Sequence, residues 1–290
     1  VYMLLIVGLL FVLACVFGSF AASGGMLGPL LISMPFELIT ILGAAIGTFV
    51  MANSMDALKH VPAGMKIAFK GPKYGREDYL ELLRVMYQFV RLAHAKGVLA
   101  LETHIEEPQT SSIFAEHTKI RDDSQTCAMI CDYWRLISMS ADDPYQIDEV
   151  LSRELKKNFN EEMHFPHALQ TVADALPALG IVAAVLGVIK TMASISKPPV
   201  VLGEMIAGAL VGTFLGVLLA YGIVAPLAAR ISTCISEDAS FHNIIRSVLV
   251  AHLQGNAPPV SIEIGRKDIP GVHMPTFQEV ETSVEGMPAA

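Results

Sequence analysis

The stretch TVADALPALGIVAAVLGVIKTM, residues 171–192, is the most informative part of the sequence about the fold. A membrane-spanning helix needs about 20 predominantly apolar residues, and this stretch is long enough. Its acid, Asp174, and its base, Lys190, stand near opposite ends, with no ionisable residue between them. Pro177 lies one turn inside and tends to bend a helix. The stretch therefore predicts an uncharged membrane helix that is bent near one end.

Three further stretches are long and apolar enough to span a membrane, at residues 3–20, 36–52 and 203–229. The whole chain is 53% hydrophobic and only 17% charged, whereas soluble domains average about 25% charged. Its net charge of -8 argues against a nucleic-acid-binding function. We therefore predict an all-α polytopic membrane protein with four transmembrane helices.

The basic residues set the predicted orientation. Residues 21–35 contain no Lys or Arg, and residues 194–202 carry only Lys197. The segment after the second span is rich in basic residues, which are Lys59, Lys66, Lys70, Lys73 and Arg76. Because basic loops stay in the cytoplasm, we expect both termini there, as in a multi-pass protein of the bacterial inner membrane.

The chain divides into four predicted segments. They are a transmembrane hairpin (1–52), a large helical cytoplasmic insert between spans 2 and 3 (53–170), a second hairpin (171–229) and a cytoplasmic tail with a disordered end (230–290). Within the insert, helical periodicity predicts a helix that Gly97 ends, and further helices at residues 122–139 and 144–158. No alternating strand pattern is present.

Glycines recur every four residues in the fourth span, at Gly208, Gly212 and Gly216. Gly43 and Gly47 repeat this spacing in the second span. Small residues four apart let helix backbones approach closely in lipid. The ladder predicts close packing, either between helices of this chain or against another subunit.

Pro177 and Pro226 fall at similar predicted depth on the cytoplasmic side of the third and fourth spans. A proline removes a backbone hydrogen bond and tends to kink a helix. The pair predicts a hinge or a shaped vestibule, although membrane helices also tolerate proline generally. Spacing alone leaves both interpretations open.

Ionisable residues are expected only near the span ends, where Glu37, Asp174, Lys190 and Glu204 lie. Thr213 is the clearest polar residue at mid-span in the last two helices. Ion transport usually needs an ionisable group within a span. If the protein moves ions, a membrane partner must therefore supply the carboxylate.

Four stretches carry a family resemblance: DALPALGIVAAVLGVIK (174–190), VGTFLGVLLAYGIVAPLA (211–228), APPVSIEIGRK (257–267) and KGVLALETHIEEP (96–108). They resemble the MotA family of flagellar motor stator proteins, which includes PomA and is related to ExbB and TolQ. The resemblance implies a ring of five subunits around two copies of MotB, a single-span, peptidoglycan-binding partner that carries the ion-binding aspartate. Ion flow would turn the ring, and the inserts would push the rotor switch protein FliG.

The resemblance also implies roles for residues of the last two spans. Pro177 and Pro226 match the family's two functional prolines, and Thr213 matches the hydroxyl residue that faces the partner's aspartate. Ala184 stands where sodium-driven relatives have threonine, which favours protons as the ion because sodium needs several oxygen ligands. The expected ion pathway consists of Ala184, Thr213 and Tyr221.

The insert holds the expected rotor contact. Glu102 matches the family's acidic residue, whereas the family's arginine falls at His94, which is a departure. Arg91 and Lys96 lie within one helical turn of His94 and are candidates to replace the arginine. Imidazole titrates near neutral pH, so His94 would make this contact pH-dependent.

Three other functions fit the sequence less well. An energy transducer like ExbB or TolQ would have three spans and an insert after the first, and a secondary transporter would need its own midplane charge. An enzyme is not expected, since KGPKYG lacks the phosphate-loop spacing and His164 and His167 form a predicted loop pair without a third metal ligand. We expect no metal and no cofactor.

Overall fold

The computed structural model describes residues 2–25, 27–139 and 143–285. Within them the protein is 85% helical and has no strand. The thirteen α-helices of this part of the chain are α1 Tyr2–Ala22, α2 Leu27–Ala52, α3 Met55–Lys70, α4 Arg76–Lys96, α5 Glu102–Glu106, α6 Ser112–Glu116, α7 Thr118–Asp122, α8 Ser124–Ser138, α9 Pro144–Met192, α10 Pro199–Leu219, α11 Ala225–Leu253, α12 Pro258–Lys267 and α13 Phe277–Val284. A 3₁₀ turn, Val98–Leu101, precedes α5, and a π-helical segment, Ala220–Val224, joins α10 to α11.

Four helical stretches of the described residues are long and apolar enough to cross a membrane: Met3–Ala22, Leu27–Ala52, Pro144–Met192 and Pro199–Leu253. The predicted all-α class with four membrane helices is thus confirmed. The second span was predicted to begin at residue 36, but α2 begins at Leu27. Residues 27–35 are mostly apolar, and Pro35 lies inside the helix, where membrane helices tolerate proline.

Helix α9 also differs from its prediction. The helix expected at residues 144–158 and the third span form one helix of 49 residues, Pro144–Met192. His164 and His167, predicted in a loop, are therefore helical. Residues 159–170 contain no glycine, and Pro166 removes only one N–H donor, so nothing in this segment ends the helix.

The chain forms two compact units. The span unit comprises Val1–Gly71 and Glu162–Cys234, and the insert unit comprises Pro72–Glu161 and Ile235–Ala290. The tail therefore packs within the same unit as the insert. Its described part contains most of α11 and all of α12 and α13, the last of which ends at Val284. The predicted disordered end, at residues 286–290, lies outside the described residues.

The core of the span unit lies between α2, α9 and α10. Its buried members are Ile41, Ala45, Leu176, Ala183, Val211, Leu215 and Ala220. The exposed side chains of α1 and α2 are largely apolar, among them Met3, Phe11, Ile32 and Ile39. An apolar exterior of this kind is what a lipid bilayer requires of its spanning helices.

The insert unit has a larger core, built around Trp134 of α8. The Trp134 ring stacks against Phe89 of α4 at 6.1 Å between centroids, and Phe89 packs at 5.4 Å from Phe114 of α6. Helix α11 adds Phe241 and Val248, and the tail adds Ile262, Ile269 and Val280. Burial of these large apolar side chains is the main stabilising contribution in this unit.

A polar network lies at one edge of this core. The Tyr74 hydroxyl donates to Asp123 at 2.7 Å and lies 3.2 Å from His242 Nε2. Asp123 also accepts from Lys73 Nζ at 2.7 Å and from the Thr126 hydroxyl at 2.9 Å. Burial lowers the pKa of His242 to about 4, with Asp123 opposing and Lys73 reinforcing the shift. His242 is therefore neutral at pH 7 and completes the network as a neutral ring.

Candidate ion pathway and rotor surface

The glycine ladder of α10 lies between two neighbouring helices of the same chain. A Cβ atom placed on Gly216 would lie 2.7 Å from the Leu176 carbonyl oxygen and 2.8 Å from Gly180 Cα, both on α9. A Cβ on Gly208 would lie 2.5 Å from the Ser33 hydroxyl of α2. Such approaches are possible only for residues without side chains. By contrast, a Cβ on Gly43 or Gly47 would meet nothing within 4 Å.

The middle glycine of the ladder brings three helices together. A Cβ on Gly212 would lie 2.9 Å from the Glu37 carboxylate of α2, 3.0 Å from Ala183 Cβ and 3.1 Å from the Ala184 backbone nitrogen of α9. Gly212 is buried, and Ala184 is partly exposed. The backbone of Ala184 therefore takes part in the α9–α10 contact at Gly212, and its own side chain is a methyl group without an oxygen atom.

Thr213 follows Gly212 and is partly exposed. Other threonines of the spans donate back to their own helix, as Thr40 does to the Phe36 carbonyl at 3.1 Å and Thr191 to the Gly187 carbonyl at 2.9 Å. Among the described residues, no hydrogen bond to the Thr213 hydroxyl is found. This hydroxyl is available to an external group, since hydroxyls both donate and accept.

The two predicted prolines occupy different helical contexts. Pro177 lies inside the regular helix α9 and is partly exposed. Pro226 is the second residue of α11, directly after the π-helical segment Ala220–Val224. Proline cannot donate to the carbonyl four residues before it, and π-helical turns often occur at functional sites. Tyr221 lies within this segment, with 63% of its surface exposed.

Glu37 departs from the sequence-based expectation. It was expected near a span end, yet ten residues of α2 precede it and fifteen follow it in Leu27–Ala52. The expectation followed from placing the start of the second span nine residues too late. The signal that could have found it is the apolar composition of residues 27–35, which continues the span across Pro35.

The predicted rotor-contact residues lie on the insert unit where α4 ends and α5 begins. His94, Lys96 and Glu102 are exposed. Gly97 makes the turn between the helices at φ +82°, a conformation that favours glycine. Arg91 is partly exposed and lies 5.8 Å from the centre of the Tyr87 ring.

One further residue, Leu99, extends this surface, which we call the rotor-side surface and define by His94, Lys96, Leu99 and Glu102. Leu99 is 77% exposed, although it is a large apolar residue. The His94 ring lies 6.5 Å from the ring of His252, which contacts Trp134 at 5.7 Å. Burial and the neighbouring His94 lower the pKa of His252. The surface thus combines basic, acidic and apolar groups, as protein-binding surfaces do.

Metal binding has no structural support in the described residues, where no group of three or more His, Cys, Asp or Glu side chains is placed to hold an ion. Cys127 and Cys131 are buried one turn apart on α8, and both are free thiols.

Comparison with known proteins assigns the class. Residues 6–97 match the family model of the motility protein A N-terminal region, and residues 118–241 match that of the MotA/TolQ/ExbB proton channel family. The fold agrees with a solved structure of C. jejuni MotAB, with a TM-score of 0.73 and 16% identity over 93% of this chain and 96% of that one. It also agrees with the flagellar MotAB stator complex from Bacillus subtilis, with a TM-score of 0.69 and 20% identity over 96% of this chain and 98% of that one.

A curated relative narrows the assignment. Motility protein A of Escherichia coli strain K12 is 37% identical over 285 residues, which cover 98% of this chain and 96% of the relative. The chain therefore belongs to the motility protein A family. It is a multi-pass protein of the bacterial inner membrane and a channel component rather than an enzyme.

Proposed function

We propose that the chain is the ring-forming subunit of a flagellar stator that works with a MotB-type, single-span, peptidoglycan-binding partner. The observation that carries the proposal is the Thr213 hydroxyl, which has no hydrogen bond in the described part of the chain and follows Gly212 at the α9–α10 contact. The full-length similarity to motility protein A supports it. An ExbB- or TolQ-like transducer is less compatible, because the large insert follows the second of four spans.

Proton transfer would occur on the partner's aspartate, at the wall formed by α9 and α10. A carboxylate in an apolar site has its pKa raised by desolvation, so it can bind and release a proton near neutral pH. The Thr213 hydroxyl would donate to that carboxylate when it is charged. One proton crossing about 100 mV supplies about 2.3 kcal/mol, so several protons would drive each turn.

Rotation requires two conformations of the subunit that bind the protonated partner differently. The π-helical segment Ala220–Val224 and Pro226 are candidates for the moving part of α10 and α11, and Pro177 for that of α9. The π-helical segment departs from α-helical hydrogen bonding, and each proline lacks an N–H donor, so these positions can change conformation at lower cost than an uninterrupted α-helix.

The ion is proposed to be the proton. Ala184 supplies no side-chain oxygen at the α9–α10 contact, and each subunit would add only the Thr213 hydroxyl. A sodium ion would have to replace its hydration shell with several oxygens at close range.

The remaining parts of the assembly follow from the family resemblance. Five copies of this chain would surround two copies of the partner, with both termini in the cytoplasm. The rotor-side surface, with Arg91 beside it, would contact the rotor switch protein FliG. This surface carries charged groups of both signs. Complementary charges on two proteins can fix how the proteins align at their interface.

The test is rotation in a bacterium that lacks its own stator. The chain and its partner should restore rotation, and either protein alone should not. Thr213→Val removes the hydroxyl at nearly constant volume and should abolish most torque, whereas Thr213→Ser should keep it. Normal torque from Thr213→Val, with normal numbers of assembled units, would contradict the proposed pathway.

A further inference from the structure

The inner face of α2 presents two polar side chains to the glycine ladder of α10. Ser33 and Glu37 are one helical turn apart, so they share a face of α2. The Ser33 hydroxyl occupies the space beside Gly208, at 2.5 Å from where a Cβ would lie. The Glu37 carboxylate occupies the space beside Gly212, at 2.9 Å. The two glycines therefore make room for polar groups as well as for a neighbouring helix.

This polar strip leads to the candidate ion pathway. A Cβ on Gly212 would also lie 3.1 Å from the Ala184 backbone nitrogen, and Thr213 is the residue after Gly212. In the orientation proposed above, α2 begins on the outer side of the membrane at Leu27, so Ser33 lies nearer that side than Glu37. The strip thus runs inward to the level of Ala184 and Thr213.

Glu37 lacks the partners that a structural carboxylate in a membrane needs. In the described ranges, no hydrogen bond to its side chain is found, and Lys190 is the charged residue that interacts with it electrostatically. Lys190 is exposed at the last turn of α9, and Glu37 itself is partly exposed. Charged side chains within spans are costly, and they usually mark ion or proton pathways. A partly accessible, weakly satisfied carboxylate fits that role better than a packing role.

We propose that Glu37 is a second proton-binding carboxylate of the pathway, which collects protons from the outer side along Ser33 and passes them toward the partner's aspartate. In each transfer, the Glu37 carboxylate accepts one proton and becomes a neutral carboxylic acid. It then releases that proton to water or to the partner's carboxylate and returns to its charged form. The inference rests on the proposed function and assigns the outer half of its pathway.

The test uses the full chain with its partner in a stator-less bacterium. Three variants are compared with the unaltered chain: Glu37→Gln, which cannot release a proton, Glu37→Asp, which keeps the acid on a shorter side chain, and Glu204→Gln. Glu204 is an exposed acid in the first third of α10 and serves as the control acid of a membrane helix. Rotation speed is measured at low load and near stall, with assembled units counted by a fluorescent partner.

At low load the rate of proton delivery limits speed, whereas near stall the energy per proton limits torque. We expect Glu37→Gln to lower the low-load speed at least about tenfold, since a positioned acid–base group typically contributes ~100-fold or more to proton transfer. Its torque per unit near stall should be little changed. Glu37→Asp should rotate at an intermediate speed, and Glu204→Gln should match the unaltered chain.

Low-load speed of Glu37→Gln equal to that of the unaltered chain would overturn the inference while leaving the stator function intact. Loss of assembly in both Glu37→Gln and Glu37→Asp would also overturn it, because Glu37 would then be needed for folding. Absence of rotation by the unaltered chain would instead contradict the proposed function itself, so the two failures are distinguishable.

Discussion

At the scale of single residues, the side chains that matter most are those whose environment is unusual for their type. The Thr213 hydroxyl has no hydrogen bond in the described residues, whereas Thr40 of α2 and Thr191 of α9 each donate to a carbonyl of their own helix. In the insert unit, His242 is buried as a neutral ring against Tyr74 and Thr126. Both features come from tertiary contacts, which a sequence read alone does not specify.

His242 makes the insert unit sensitive to acid. An unfolded histidine titrates near pH 6.5, whereas burial lowers the pKa of His242 to about 4 in the folded protein. Between these values the unfolded chain binds a proton that the folded chain does not, so stability falls as pH falls through this window. The loss from this group is on the order of 3 kcal/mol, fully developed below pH about 4.

The measurement is denaturant unfolding of the detergent-solubilised full chain at pH 7 and pH 4.5. Trp134 is the single tryptophan and lies in the core of the insert unit, so its fluorescence reports on that unit. His242→Gln should lose less stability between the two pH values than the unaltered chain does. His273→Gln, at a partly exposed ring of the same unit, is the control. Identical pH dependence of His242→Gln and the unaltered chain would refute this account.

At the scale of elements, the helical spacing of apolar residues and the positions of glycine predicted most of the helices. Gly97 was expected to end a helix, and α4 ends at Lys96 with Gly97 as its cap. The prediction was wrong at two prolines. Pro35 was placed in a loop and Pro166 near another, yet both lie inside helices, because neighbouring turns compensate for the lost hydrogen bond. The π-helical segment had no sequence signal beyond Pro226.

Close packing of α9 against α10 should depend on Gly216. Its replacement by alanine places a Cβ 2.7 Å from a backbone oxygen and 2.8 Å from a backbone carbon, neither of which can rotate away. Overpacking of this kind typically costs about 1–3 kcal/mol. Thermal unfolding of the purified chain, followed by helical circular dichroism, should therefore begin at a lower temperature for Gly216→Ala.

Gly43→Ala is the matched control, because it adds the same methyl group to a membrane helix where nothing lies within 4 Å. It should unfold at or slightly above the temperature of the unaltered chain, since alanine favours helix. Equal behaviour of Gly216→Ala and Gly43→Ala would show that the α9–α10 contact is looser than described.

The π-helical segment should matter for torque more than for assembly. Pro226→Ala restores an N–H that can donate to the Gly222 carbonyl and favours a regular helix. A bias of about 1.4 kcal/mol toward one state changes a two-state ratio tenfold, so we expect about a tenfold fall in torque per assembled unit. Pro35→Ala, also at a proline inside a membrane helix, should rotate normally. Normal torque from Pro226→Ala would remove this segment as the moving part.

At the scale of the whole molecule, the chain combines a span unit and an insert unit with separate cores. The sequence predicted the four spans, the helical insert and the motor family, because long apolar runs and extended motifs are strong signals. It did not predict that the tail packs within the insert unit, because that packing depends on contacts between residues far apart in the chain, such as Arg76 with Glu279 at 2.6 Å. Nor did it place Glu37 away from the end of its span.

The central claim is that this chain uses a proton gradient to generate flagellar torque. The most direct measurement is the swimming speed of a stator-less bacterium that produces this chain and its MotB-type partner in sodium-free buffer. The account predicts swimming that stops when an uncoupler dissipates the proton gradient. Swimming that appears only after sodium is added would contradict the ion assignment at Ala184. No swimming in either buffer, with both proteins present in the membrane, would contradict the stator function.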